Sequence, residues 1–360
     1  MPLPLLLAGA AIATVGAGIK KGYDGYQDKS KADNIVKASK ERYEAAQEKL
    51  NQRNKLTSQT LEKLGELQLS IGQSFYEFQK LADELIGKIN ESSTQEIKVH
   101  IPSYKLQKIE GLALSATSYA GKLVGAGAAG GTAAYAVYGG VLALGAASTG
   151  TPIAALSGIA AKNAALAAIG GGSLASGGLG IAGGTMILGA TVAAPVLAVA
   201  GIAFASYAKD ALKNAKELEV KTREAVEKMA TARHKLEQVD KVATKVHTHT
   251  NNLYETFKGY FDDLKAIDTI VRRNSIDPAS IQDNMMQIIE NGYSLAAILT
   301  DVITTPLFKP VMNDGEIAVD GSGAPKIMVD PDGYQVLNRH ALDEVLDTAQ
   351  DAYQLHKLPA

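Results

Sequence analysis

The chain has 360 residues, a formal net charge of −2, no cysteine and no tryptophan. That length fits two or three ordinary domains. Without cysteine, disulfides, thiol catalysis and Cys-ligated zinc are excluded, and the near-neutral charge argues against a general nucleic-acid binder, which needs a basic face.

Residues 3–19 (LPLLLAGAAIATVGAGI) are apolar and about as long as a short membrane span. They lack the basic leader of a secretory signal, and their positive charges, Lys20 and Lys21, follow them. We read 1–19 as a retained membrane-inserting helix; the alternative is a cleaved signal with an Ala-rich site. Residues 20–90 are charged, proline-free and rich in helix formers. Leu64, Leu67, Ile71, Phe78, Leu81 and Leu85 recur in steps of three, four and seven, the seam of a coiled coil. A first coiled-coil arm is therefore expected over 20–110. Within it, residues 91–102 form a loop with a short extended piece.

Residues 111–208 form the most unusual part of the chain. Between Lys122 and Lys209 the only charge is Lys162; the rest is small or apolar, with many glycines. A charged side chain costs roughly 2.5–3.5 kcal/mol at a bilayer centre. A run this free of charge suits lipid better than water, and we expect a Gly-rich membrane insert. A span needs about 20 residues, and each half of the insert is close to twice that. The expectation is two full crossings, near 119–147 and 179–207, with a shorter piece at 153–169 between them. Small-xxx-small spacing occurs at Gly121/Gly125, Gly127/Gly131 and Gly180/Gly184. These glycines would let helices pack closely in lipid. Lys162 and Asn163 would sit at an interface or in a water-filled lumen. Tyr119, Tyr135, Tyr138 and Tyr207 could replace tryptophan as interface anchors.

The second arm, 209–275, carries the most regular pattern. Stepping by four and three from Ala211, every residue to Val271 is apolar or Thr. The track includes Leu236, Val239, Val246, Leu253, Phe257, Tyr260, Leu264 and Ile267. A period of 3.5 kept this long predicts one helix of about 90 Å. Each arm alone exposes its stripe, so we expect the two to pair antiparallel with the insert at the tip. Beyond it, 276–360 is acidic, with four Lys/Arg against thirteen Asp/Glu. Anionic lipid would repel it. A helix is expected at 279–303 and another at 339–356. Between them, turn signals at Asn313-Asp314-Gly315, Asp320-Gly321 and Asp330-Pro331-Asp332-Gly333 separate short β pieces at 316–319, 326–329 and 334–337. That pattern predicts a small β-meander or a pair of hairpins. The fold class is thus mainly α: long antiparallel coiled-coil helices flanking a Gly/Ala-rich membrane insert, with a small C-terminal α+β module.

No catalytic constellation emerges. There is no GxxxxGK[ST]: Gly121-Lys122 precedes Leu123 and Gly87-Lys88 precedes Ile89, so neither offers a hydroxyl for magnesium. His247 and His249 are two apart on a helix and point to different sides, which disfavours a shared metal. Asp330 and Asp332 before Gly333 resemble part of a calcium loop, but lack its terminal Glu and read as a turn. We expect a non-enzyme with no cofactor or metal.

The order helix (20–90), apolar insert (123–208), helix (209–271) resembles the helical pore-forming toxins of the cytolysin A and haemolysin BL class. It is also similar to apolipoprotein L-like proteins, which pair amphipathic helices with a Gly/Ala-rich insert. The insert here is longer than a toxin's hairpin, and the acidic tail has no counterpart in that class. The resemblance implies membrane action. The expected function is a membrane-inserting protein that oligomerises and permeabilises or remodels a bilayer, as a toxin or defence effector. The alternatives are a membrane-anchored coiled-coil scaffold recruiting partners through its acidic module, and a soluble protein that buries the insert in a helical bundle. Expected partners are a lipid bilayer, further copies of the chain and a protein at the acidic module, with no nucleic acid. The expected location is at a membrane, either resident with the coiled coil on the cytoplasmic side or inserting from a soluble form.

Overall fold

The computed structural model describes residues 22–92, 99–124, 132–133, 135–137, 211–273, 278–313, 316–318 and 326–356. They are mainly helical: α1 (Gly22–Ser92), α2 (Ser103–Val124), α3 (Ala211–Arg272), α4 (Gln282–Thr304) and α5 (Arg339–His356). The expected helices at 20–90, 209–271, 279–303 and 339–356 are present, with a 3-10 turn, Pro278–Ile281, taking the first residues of the third. α2 was not foreseen as a separate helix, and it straddles the expected boundary between arm and insert. Pro102 opens it, its carbonyl accepting from the Lys105 and Leu106 amides. Ile109, Leu112, Ala113 and Ala116 then form a buried stripe at helical spacing. The described residues fall into two compact units, divided at Gln47/Glu48 and Lys228/Met229.

In the larger unit α1 and α3 run parallel. Asp240 on α3 accepts from Arg53 at 3.1 Å and from Thr60 at 2.6 Å, and Thr57 donates to the Leu236 carbonyl. Further along, Ser74 meets Tyr254 and Arg272 donates to Glu84. The sequence separation of these partners stays between 179 and 188. A constant difference means parallel strands of chain; an antiparallel pair would keep a constant sum. The expected antiparallel pairing is therefore corrected. Its reasoning gave the only reversal to the insert, but α2 already reverses the chain. Gly72 of α1 abuts Ala116 and the Leu112 carbonyl, whereas the earlier Gly65 abuts the later Thr132. α2 thus runs back along α1, and α3 can then follow α1's own direction.

The same test orders the other helices. His100–Glu290 and Lys108–Asp301 have separations of 190 and 193, so α4 lies parallel to α2. Lys245–Asp343 and Tyr260–His356, at 98 and 96, set α5 parallel to α3. The result is a bundle with α1, α3 and α5 pointing one way and α2 and α4 the other. Phe78 is its hub, with edge contacts at 5.1–5.8 Å to Phe257, Phe261 and Tyr293. Its ring lies directly over Gly292, where a Cβ would collide with it. Each buried ring contributes about 1.5–3 kcal/mol by burial, and each edge contact about 0.5–1.5 kcal/mol more.

The tail between α4 and α5 is not an open meander. The two-residue strands β1 (Met312–Asn313) and β2 (Glu316–Ile317) form a small hairpin. The remaining pieces close rings of backbone hydrogen bonds. Lys309 donates to Val336, Val336 to Met328, and Met328 back to Lys309, at 2.8–3.0 Å. Beside it, Val311 donates to Lys326, Lys326 to Ala318, and Ala318 back to Val311. Pro306, Pro310 and Pro331 lack the amide hydrogens that a long ladder requires, which favours these short closures. In the smaller unit, the N-terminal parts of α1 and α3 bury Ala32, Ser39, Ala215, Leu218, Thr222 and Ala225, and Arg42 faces Glu219 at 3.8 Å.

Candidate functional site

The described part of the apolar run 111–208 is packed against protein. After α2, residues 132–133 and 135–137 form a helical turn on α1. The turn can approach because position 65 is glycine: a Cβ there would overlap the Thr132 carbonyl. Ala133, Ala136 and Val137 join the main core with Leu61 and Leu64. Tyr135 forms a satellite cluster with Leu69 and Ala116, its ring 5.1 Å from Tyr119. It is the largest fully buried side chain among the described residues, and burial pushes its hydroxyl's pKa up. The segment expected to cross lipid at 119–147 therefore has its described residues in the bundle. Among the described residues no helix is long and apolar enough to cross a membrane.

The structure brings together one set of the expected site residues. Leu236, Val239, Val246, Leu253, Phe257, Leu264 and Ile267 are all buried, whereas Tyr260 is half-buried beside His356. Gly121 lies in the last turn of α2. Gly125, Gly127, Gly131, Lys162, Asn163, Gly180 and Gly184 fall outside the described residues. The pair Gly65/Gly72, seven apart on α1 and so on one face, was readable in the sequence but was not picked out.

The polar candidates lie on α3 and in the tail. His247 is half-buried, and burial together with the charge of Lys63 lowers its pKa. The Nδ1 of its neighbour His249 is buried without a partner. Asp330 is fully occupied within the tail. One carboxylate oxygen accepts from the Asp332 and Tyr334 amides, and the other takes Lys235 of α3 at 2.8 Å. The Lys235 hydrogen bond is the main reason its pKa is lowered. Gly333 supplies the left-handed backbone of that turn, with φ 83°. Among the described residues no group of three or more His, Cys, Asp or Glu could hold a metal ion.

Two surfaces remain. In the smaller unit a shallow groove of about 620 Å³ runs along α3 past Leu212, Lys216, Val220 and Glu224. Its walls are Leu212, Val220 and the Lys and Glu side chains beside them on the same helix. In the larger unit the outer face of α5 exposes Asp343, Glu344, Asp347 and Asp351. Lys245 lies 2.8 Å from Asp343, and its hydrogen bond keeps that carboxyl below the usual range. No protein-family model, curated protein or solved structure matches the chain.

Proposed function

We propose that the protein is a membrane-inserting helical protein that oligomerises and permeabilises or remodels a bilayer, as a toxin or defence effector. The observation that carries this reading is the run from Leu123 to Ala208 with Lys162 as its only charge. That run ends three residues before the start of α3, and the apolar run 3–19 ends just before the start of α1. Two long charged helices thus each begin where an apolar segment stops, the arrangement expected of stems that carry inserting segments. Glycine-rich spacing at Gly180/Gly184 would supply close helix contacts in lipid. The acidic α5 face would stay clear of anionic headgroups and is available to a protein partner.

The test is release of an encapsulated dye from vesicles by the purified full-length protein. Gly180→Leu with Gly184→Leu keeps the segment apolar but adds bulk where backbones must approach, so binding should survive and leakage should fall. A parent protein that binds vesicles without leakage favours the second reading, a membrane-anchored scaffold. The acidic face of α5, on a module pinned to α3 through Lys235–Asp330 and Lys245–Asp343, supports that reading.

A further inference from the structure

We propose that the outer face of α3 between Lys213 and Glu227 binds a second copy of this chain, helix against helix and antiparallel, about a two-fold axis through Val220. The proposal rests on the self-association in the reading above and names the surface that makes it.

The period of α3 sets the face. Ala215, Leu218, Thr222 and Ala225 form the buried stripe. On a 3.5-residue repeat the opposite stripe has Val220 at its centre, 49% exposed, and six charged residues around it, all exposed. The six form three pairs of opposite sign. Glu217 and Arg223 lie three residues either side of Val220, Lys216 and Glu224 four, and Lys213 and Glu227 seven. In an antiparallel pair of identical helices centred on Val220, a residue before the centre meets the one equally far after it. Every charge of one copy then faces its opposite in the other, and the two Val220 side chains meet on the axis. A two-fold contact uses the same surface on both partners and so makes each pair twice. A parallel pair in register would set each charge against itself, which repulsion disfavours. The shallow groove along Lys213, Lys216, Glu217, Val220 and Glu224 gives a second helix room to lie against them. The face covers about 21 Å of helix. That is short for a standard interface, so the contact is weak and sensitive to salt.

The chain has no cysteine, so a single introduced one reports the contact. Val220→Cys in the full chain should form a disulfide between two copies much faster than Leu355→Cys, a control site 83% exposed at the end of α5. On the Val220→Cys background, Lys216→Glu or Glu224→Lys sets like charges across both copies of its pair and should slow the linkage about tenfold. Both reversals in one chain should restore it, as should mixing the two singly reversed chains. A change that only weakened the helix would not be rescued in this way. The series is run with and without phosphatidylcholine vesicles containing phosphatidylglycerol. Linkage at Val220→Cys no faster than at Leu355→Cys in both settings overturns the interface. Reversals that are neutral, or that are not rescued, overturn the pairing. A chain that leaks vesicles but fails this series loses the interface and keeps the membrane reading. A chain that links as expected but neither binds nor leaks vesicles keeps the interface and loses the membrane reading.

Discussion

Ser74 on α1 and Tyr254 on α3 share a hydrogen bond of 2.6 Å, with Ser70 a further 3.4 Å contact one turn before. The hydroxyl pair sits beside the Phe75–Phe257 contact, where ring centroids are 5.1 Å apart. It therefore fixes the axial position of two long helices whose seams would otherwise tolerate sliding by a heptad.

That register gives the first prediction. Because the chain has no cysteine, Glu84→Cys with Arg272→Cys, whose side chains meet at 2.8 Å near the ends of the two helices, can be joined by a short bis-maleimide without competing sites. An intramolecular cross-link is expected in high yield. A pair of helices running in opposite directions would hold these positions far apart, so no cross-link by mass spectrometry would refute the parallel arrangement.

Glycine substitutions on α1 should have opposite signs. A Cβ at Gly72 meets Ala116, whereas one at Gly87 meets nothing within 4 Å. Gly87→Ala should stabilise by roughly 0.5–1 kcal/mol through helix propensity alone. Gly72→Ala gains the same propensity but must separate α1 from α2, with a net loss of about 1–3 kcal/mol. Denaturant midpoints that move in the same direction for both would remove Gly72 as a packing contact.

The aromatic hub should dominate the core. Phe257 is fully buried and touches Phe75 and Phe78. Phe257→Ala should cost about 3–5 kcal/mol. Leu355, 83% exposed at the end of α5, should change stability by no more than about 0.5 kcal/mol when replaced by Ala. Urea titration of the two variants checks both values.

Acidification should weaken the fold through His247. Burial first, and Lys63 second, hold its folded pKa below 6.5. The unfolded chain then binds the proton more readily, so its contribution is full above pH 6.5 and declines as pH falls from there through the folded pKa. His247→Gln should flatten that part of the stability curve between neutral and mildly acidic pH. A variant whose unfolding midpoint drops as steeply as the parent's would assign the effect elsewhere.

The legible parts of this fold were those set by local period. The α3 track from Ala215 to Val271 shows which face is buried, because a 3.5-residue repeat allows only one such face. Asp330-Pro331-Asp332-Gly333 announces its turn, since the Asp side chain can bind the following amides and glycine accepts φ 83°. Direction is another matter. A stripe identifies a face but not which way the partner runs, and Arg53, Thr60 and Asp240 carry that information only once they are seen together. α2 was obscured because its apolar stripe merges into the charge-free run that follows. Tyr135 reads as an interface anchor for the same reason: a tyrosine among alanines and glycines reads alike in lipid and packed beside Leu69 and Ala116.

The rings of backbone bonds in the tail make it indivisible. A sheet can lose an outer strand and keep the rest, and its free edge can accept a strand from elsewhere. A ring has neither property. Each of Lys309, Met328 and Val336 both gives and receives, so removing any one leaves the other two with broken bonds. Trimming from the C-terminus that reaches Val336 should leave no shortened but folded ring, only the whole ring or none. A partner cannot extend the module by adding a strand to those rings either.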